Sequence, residues 1–488
     1  MPNSIMVVGT SSNVGKSLVA AAICRLLKRD GWRVAPFKAQ NMSLNAYVTP
    51  AGGEIGYAQA LQAWAAGVEP HVDMNPILLK PQGDMTSQIV LHGHPVGTYR
   101  AGDYYETFFD RGWQAVTQTL DCLQQQYDWI VCEGAGSPAE VNLRHRDLTN
   151  MRVANYLQAP TLLVADIDRG GALAHVVGTL QVLPEEERKL FAGIVINKFR
   201  GVLALLQPGL DWLEEYTGIP IVGVLPWLDF ALPAEDSMSL FEQRGRKPNA
   251  EVEIAVLRLP RIANFTDFDP LNAEPSIKLR YVTLDEPLGS PDVVILPGSK
   301  ATISDLRALQ KSGMAEQVRQ FSGAIAGVCG GMQMLGQAIA DPEGIEGEAA
   351  TVRGLELLPL ETTFTGDKVT QQVSTSSRWM GEMAIAGYEI HQGHTQFGAD
   401  ATPMFDRPEL GCVSENGRVW GTYLHGLFDN HVWRRQWLNR VRAEKGLRPL
   451  PILDGHYSVE RDRLLDRLAD AWHPHLHLDR IGYYPKSM

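Results

Sequence analysis

A glycine-bounded loop joining an apolar strand to an amphipathic helix constrains this chain more than any other feature of its sequence. Residues Gly9-Thr-Ser-Ser-Asn-Val-Gly15-Lys16-Ser17 follow the run Ile5–Val8 and open the helical pattern Leu18–Lys28. In that setting backbone N–H groups point into one cavity and the helix start adds positive potential. Lys16 reaches the outer phosphates of a nucleoside triphosphate, and Ser17 can ligate Mg²⁺. Thr10, Asn13 and Gly15 belong to the same ATP cradle. Five residues separate Gly9 from Gly15, where the usual motif has four, so the loop is a variant. A plain glycine turn is the competing reading, and Gly-Lys-Ser at the helix start argues against it.

Around this loop the pattern is α/β. A chain of 488 residues exceeds one core and calls for two large domains or three smaller ones. Apolar runs at Ile5–Val8, Trp129–Cys132, Thr161–Ala165, Gly193–Ile196 and Ile221–Val224 alternate with helical patterns, the signature of a parallel sheet whose carboxyl edge binds ligands. The polar, aperiodic stretch 233–250 reads as a linker,. A second α/β pattern follows, with strands at Glu253–Leu257, Val293–Leu296, Ala324–Val328 and Arg418–Tyr423. The domains expected are therefore 1–232, 251–440 and a helical tail 441–488, in which Val459–Trp472 is read as an amphipathic helix capping the second domain.

Composition narrows the class. A net charge of −12 opposes general nucleic-acid binding, which needs a surplus of Lys and Arg against phosphates,. Five cysteines without CxxC spacing point to a reducing, cytoplasmic compartment,. The N-terminus lacks the pattern of a signal peptide, and no segment reads as a membrane span. Oligomeric state stays open, a homo-oligomer included.

Two further strand ends can complete the nucleotide site. Glu133, in Tyr127–Ser137, is placed to hold Mg²⁺, with a solvated loop acid as the alternative. Asn197 has an amide suited to reading a nucleotide base, although an Asn at a strand end is more often a turn residue.

The second constellation is Gly327-Val-Cys329-Gly330-Gly331, between an apolar strand and the helical run Met332–Ala340. Small residues on both sides permit the strained elbow that exposes a nucleophile. His425, in Tyr423-Leu-His425-Gly-Leu-Phe-Asp429, follows a strand far downstream, the expected sequence form of a nucleophile and its base,. The Gly298 and Gly330 N–H groups can stabilise an oxyanion, with an ordinary turn the equal reading for Gly298.

Taken together these segments resemble the cobyric acid synthase family, of the CobB/CobQ type. The resemblance spans nearly the whole chain and rests on GTSSNVGKS from residue 9, FKAQNMSLNA at 37–46, NPILLKPQGD at 75–84, CEGAGSPAEVNL at 132–143, DIDRGG at 166–171, LPGSK at 296–300, GVCGGMQMLG at 327–336, GYEIHQGHT at 387–395 and GTYLHGLFDN at 421–430. It implies a P-loop NTPase domain similar to dethiobiotin synthetase, followed by a class I glutamine amidotransferase domain of flavodoxin-like fold. ATP and Mg²⁺ would be the cofactors, and glutamine and the corrinoid cobyrinic acid a,c-diamide the substrates. Cys329 would be the nucleophile and His425 its base, with Tyr388, Glu389 and His391 near the glutamine. Leu427 stands where such domains usually carry the Glu that orients the histidine. Glu389 or Asp429 would then serve, or the pair acts as a dyad. Lys38, Lys80, Arg144, Arg146, Arg152 and Arg169 are cations for an anionic corrinoid, or solvated surface charges. The competing functions are cobyrinic acid a,c-diamide synthase and a regulatory P-loop ATPase with a non-catalytic glutaminase-like half.

Overall fold

The computed structural model describes residues 3–483 apart from 84, 229, 231–246, 248, 348 and 453–454. Most of the expected linker, 233–250, lies outside the described residues. All nine strands anticipated from the apolar runs are present. In the first unit, β1 (Asn3–Gly9), β2 (Val34–Phe37), β3 (Trp129–Glu133), β4 (Thr161–Asp166), β5 (Phe191–Phe199) and β6 (Ile221–Pro226) form a parallel sheet in the order β6-β5-β4-β1-β3-β2. Its strands are apolar throughout because both faces are covered. Met6 and Val8 enter the core on one face, and Ile5 and Val7 enter the core on the other. Helices α1 (Lys16–Arg29) and α2 (Tyr57–Ala66) pack on the Ile5 face.

In the second unit, β7 (Val252–Arg258), β8 (Ile277–Thr283), β9 (Val293–Leu296) and β10 (Ala324–Val328) run parallel, and β11 (Thr402–Pro403), β12 (Gly411–Val413) and β13 (Val419–Thr422) complete the order β8-β7-β9-β10-β13-β12-β11. β13 is parallel to β10, while β11 and β12 are antiparallel additions. A long hairpin of Leu360–Ser377 and Met383–Phe397 leaves this unit and pairs through Tyr388 and Glu389 with Leu424 and His425.

The hairpin meets two small sheets that project from the first unit. One contains the paired strands Gln40–Met42 and Ile77–Pro81, and the other is the ribbon Ala46–Val48 with Glu54–Gly56. Ala46, Val48, Leu78 and Val90 bury themselves against Tyr388 and Ile390. At the same junction the buried Glu54 receives Lys80 at 2.8 Å from its own unit and Lys368 from the hairpin. Burial opposes the charge on Glu54, but the two ammonium groups prevail and hold its carboxyl at about 2.

Helix α3 (Gly330–Leu335) follows Cys329, and α4 (Tyr457–Trp472) lies near the end of the chain. The sequence assigned α4 to the second unit, but it covers the first. Its Leu465, Leu468, Ala469 and Trp472 join the core beneath α1. Arg25 pairs with Asp462 and Asp466, and Arg29 with Asp466 and Asp470. An apolar stripe shows that a helix needs a partner surface without saying which one. Among the described residues no helix is long and apolar enough to cross a membrane.

Candidate active site

Cys329 sits between β10 and α3 at φ +52°, a backbone conformation that costs a non-glycine residue energy and lifts its side chain from the turn,. Its N–H donates to the Thr422 carbonyl at 2.7 Å, which ties the turn to β13. The neighbours are small by necessity: a Cβ on Gly331 would lie 1.9 Å from the Leu296 carbonyl oxygen. The thiol lies 3.6 Å from the Ile390 carbonyl oxygen. Gly298, His391 and His425 line the same cavity.

His425 is buried and stacks beneath Tyr388, with ring centroids 5.2 Å apart. Its Nδ1 lies 2.7 Å from Asp267 Oδ2, while Asp267 Oδ1 accepts the Gly426 N–H at 2.9 Å. Among the described residues Nε2 has no hydrogen-bond partner at ordinary geometry, yet the ring interacts with Cys329 across the cavity they share. Burial disfavours the imidazolium, but the Asp267 carboxylate and then the Cys329 thiolate outweigh it, so His425 is pushed up to about 10. A thiol, an imidazole and a carboxylate so placed are the groups that a nucleophile, its base and an orienting acid require,.

The carboxylate that meets His425 is Asp267 and neither of the two the sequence offered. Glu389 is occupied by Gln371 at 2.6 Å and His391 at 3.3 Å. Asp429 is partly buried, which pushes its carboxyl up to about 6. Asp267 lies 158 residues before His425, on the turn Phe265–Phe268. That turn is braced by the first unit: Thr266 Oγ1 donates to Asn45 Oδ1 at 2.9 Å, and the Ala46 N–H to Asn264 Oδ1 at 3.1 Å.

At the carboxyl edge of the first sheet, the Gly9–Ser17 loop carries Gly15 at φ +101°, and a Cβ there would meet Asn197 Nδ2 at 2.1 Å. Thr10 N–H donates to Val164 O at 2.9 Å, and Asn13 adopts φ +61°. Lys16 Nζ donates to the Ser11 and Gly136 carbonyls, both at 2.9 Å. Glu133, buried, accepts from Ser17 Oγ at 2.6 Å, Lys38 Nζ at 2.9 Å and Gln62 Nε2 at 2.6 Å. Asn197 was expected to face a base. Its Nδ2 instead donates to Val14 O at 2.8 Å and its Oδ1 accepts from Lys198 N–H at 2.8 Å, so it braces the loop.

A cavity of about 910 Å³ opens beside this loop, lined by Asn13, Lys16, Lys38, Arg144, Arg146 and Arg152 among others. The six cations named from the sequence therefore divide. Arg144, Arg146 and Arg152 face the large cavity, Lys38 lines it while holding Glu133, Lys80 belongs to the Cys329 cavity, and Arg169 is exposed beside Asp166.

A P-loop unit joined to a Cys–His–Asp unit defines a glutamine-hydrolysing carbon–nitrogen ligase with a nucleotide-binding domain. Comparison with known proteins agrees: residues 5–239 match the CobQ/CobB/MinD/ParA nucleotide binding domain, and residues 253–433 match the CobB/CobQ-like glutamine amidotransferase domain. The chain is 66% identical to the cobyric acid synthase of Synechococcus sp. strain JA-2-3B'a(2-13), over 97% of this chain and 98% of the relative. It is 63% identical to that of Gloeobacter violaceus, over 98% and 97%, and 58% identical to that of Nostoc sp. strain PCC 7120, over 97% and 98%. The chain belongs to the cobyric acid synthase family.

Proposed function

We propose that the protein catalyses the cobyric acid synthase reaction, the ATP- and glutamine-dependent amidation of the b, d, e and g side-chain carboxylates of cobyrinic acid a,c-diamide, including its adenosylated form. The observation that carries this is the pairing in one chain of a Cys329–His425–Asp267 site with a phosphate loop beside a large cationic cavity. The Cys329 thiolate attacks the amide carbon of glutamine, and the N–H groups of Gly298 and Gly330 stabilise the oxyanion. His425 delivers its proton to the departing ammonia, and water then hydrolyses the thioester to glutamate. Tyr388 keeps the imidazole in plane, and Glu389 holds His391 at the cavity wall.

A carboxylate is a poor acyl donor at neutral pH, so in the first unit the γ-phosphoryl group of ATP passes to the substrate carboxylate. The ammonia nitrogen attacks the resulting acyl phosphate, and phosphate leaves. Lys16 and the backbone of Thr10, Asn13 and Gly15 cradle the phosphates. The Ser17 hydroxyl and Glu133 carboxylate are adjacent oxygen donors of the kind a hard divalent cation requires, and Mg²⁺ would be held there to neutralise phosphate charge,. Arg144, Arg146 and Arg152 offer cations to the peripheral carboxylates of the corrinoid.

The two sites are close neighbours. Gln40–Met42 lines the large cavity and pairs with Ile77–Pro81, on which Lys80 reaches the Cys329 cavity. We expect ammonia to travel between the cavities past this strand pair. ATP and glutamine are cytoplasmic metabolites, and the enzyme is assigned to that compartment. Incubation with cobyrinic acid a,c-diamide, ATP and glutamine should yield a product carrying four additional amides by mass. No mass change with that substrate refutes the assignment.

A further inference from the structure

Three side chains of the second unit bear on the His425 imidazole. Asp267 Oδ2 lies 2.7 Å from Nδ1, Asn264 Nδ2 lies 3.4 Å from the same nitrogen, and the Tyr388 ring stacks on the imidazole. All three are tied to one short stretch of the first unit, Leu44-Asn45-Ala46. The Asn264 N–H donates to the Leu44 carbonyl at 3.3 Å, and the Ala46 N–H donates to Asn264 Oδ1 at 3.1 Å. Thr266, the residue before Asp267, donates from Oγ1 to Asn45 Oδ1 at 2.9 Å. The Tyr388 hydroxyl donates to the Ala46 carbonyl at 3.2 Å.

The stretch is fixed within its own unit. The Asn45 N–H donates to Ser43 Oγ at 3.0 Å, and the Asn45 carbonyl accepts the Tyr57 N–H, at the start of α2, at 3.0 Å. Just upstream, Gln40, Asn41 and Met42 line the wall of the large cavity. The other side of the contact is less self-sufficient. Asn264 stands in the left-handed region at φ +50°, and the segment after it, Phe265–Phe268, is a single 3₁₀ turn. So short a turn has few bonds of its own and takes its position from what it is bonded to. The second unit therefore carries the reacting groups, while the first carries the frame against which they are set.

We propose that Asn45 is a positioning residue for glutamine hydrolysis: by holding Thr266 it sets Asp267, and through Asp267 the His425 imidazole, so that a side chain of the first unit finishes the site of the second. Asn45 and Thr266 are buried, and neither is among the described residues that line the Cys329 cavity, so both act without touching glutamine. The proposal rests on the reading of Cys329 and His425 as nucleophile and base.

The test measures ammonia release from glutamine by full-length enzyme. Asn45→Leu removes the acceptor at similar size, Thr266→Val removes the donor from the other side, and Thr266→Ser keeps it. Asn45→Leu and Thr266→Val should each lower kcat by about 10–100-fold, the scale on which misplaced catalytic groups lose rate. KM should stay within about threefold of wild type, since no contact with substrate is lost. The double variant should fall no more than about threefold below the worse single one, because both changes cut the same link. Thr266→Ser should stay within about threefold of wild type, and so should ammonium-driven amidation in every variant, since it bypasses His425. The proposal is overturned by kcat losses below about threefold, by a loss confined to KM, by losses that multiply in the double variant, or by Thr266→Ser falling as far as Thr266→Val. If Asn45→Leu also loses ammonium-driven amidation, the comparison of Thr266→Val with Thr266→Ser decides by the same criteria. Wild-type enzyme that releases no ammonia from glutamine would instead overturn the nucleophile assignment on which the proposal stands.

Discussion

Replacing Asp267 by Asn tests the least expected part of the catalytic site. In the wild type Asp267 Oδ1 accepts the Gly426 N–H and Oδ2 faces His425 Nδ1 at 2.7 Å. An Asn can keep only one acceptor. If its oxygen keeps Gly426, its NH₂ group donates to Nδ1 and forces the proton of the neutral imidazole onto Nε2, towards Cys329, where a base is needed. The size of the effect has two independent scales. The rise of His425 from 6.5 to about 10, the net of burial against the Asp267 and then the Cys329 charges, corresponds to about 5 kcal/mol at 1.36 kcal/mol per unit. The same exchange in a catalytic triad of unrelated fold costs about 10⁴ in kcat, or about 5 kcal/mol. We therefore expect glutamine-dependent glutamate release to fall by about 10³–10⁴-fold, with ammonium salts still supporting synthesis at the other site. The variant should also change stability with a defined pH dependence. The pKa of His425 is raised on folding, so its pairing stabilises the fold fully below about 6.5 and progressively less as pH rises through about 10,. Denaturant midpoints of wild type and variant should thus differ more at pH 6 than at pH 10. A loss of glutaminase activity smaller than about tenfold would refute the orienting role.

Cys329→Ala should abolish amidation from glutamine, and added ammonium should restore product by mass. Lys16→Ala should lower ADP release and amidation from either nitrogen source on the order of 10²–10³-fold, since it removes a preorganised phosphate contact, while glutamine hydrolysis is less affected. Glu54→Gln leaves Lys80 and Lys368 buried without their carboxylate and should cost about 3–5 kcal/mol at pH 7 by denaturant unfolding. Because folding depresses the Glu54 pKa, that difference should be present above about 4.5 and shrink as pH falls towards about 2,. A difference that grows on acidification would contradict the ion-pair account.

What could be read in advance was what is local in sequence. Each strand is a mostly apolar run, and Gly9–Ser17 and Gly327–Gly331 are contiguous stretches whose chemistry is set by neighbours a few positions away. Asp267 has no such signature. It is one acid on a short turn, and it acquires meaning only when the second sheet brings that turn beside His425 and Asn45 steadies it from the other unit. Lys38 and Lys80 were counted as substrate cations because charge and proximity to a strand end are all a sequence shows, whereas their counter-ions Glu133 and Glu54 are selected by tertiary packing. Asn197 stands at the expected loop, and its amide meets the loop backbone, since an amide at a strand end serves backbone and ligand equally well.

The position of α4 makes the second unit, in chain order, a passenger carried inside the first. Polypeptide leaves the nucleotide sheet after Pro226 and returns only at Tyr457, where Trp472 Nε1 donates to the Pro226 carbonyl at 3.2 Å and closes the circuit. During synthesis on a ribosome, the face of α1 that meets α4 stays uncovered until α4 has been made. A half-made molecule therefore lacks a finished triphosphate domain until the part that supplies its nitrogen has already been translated.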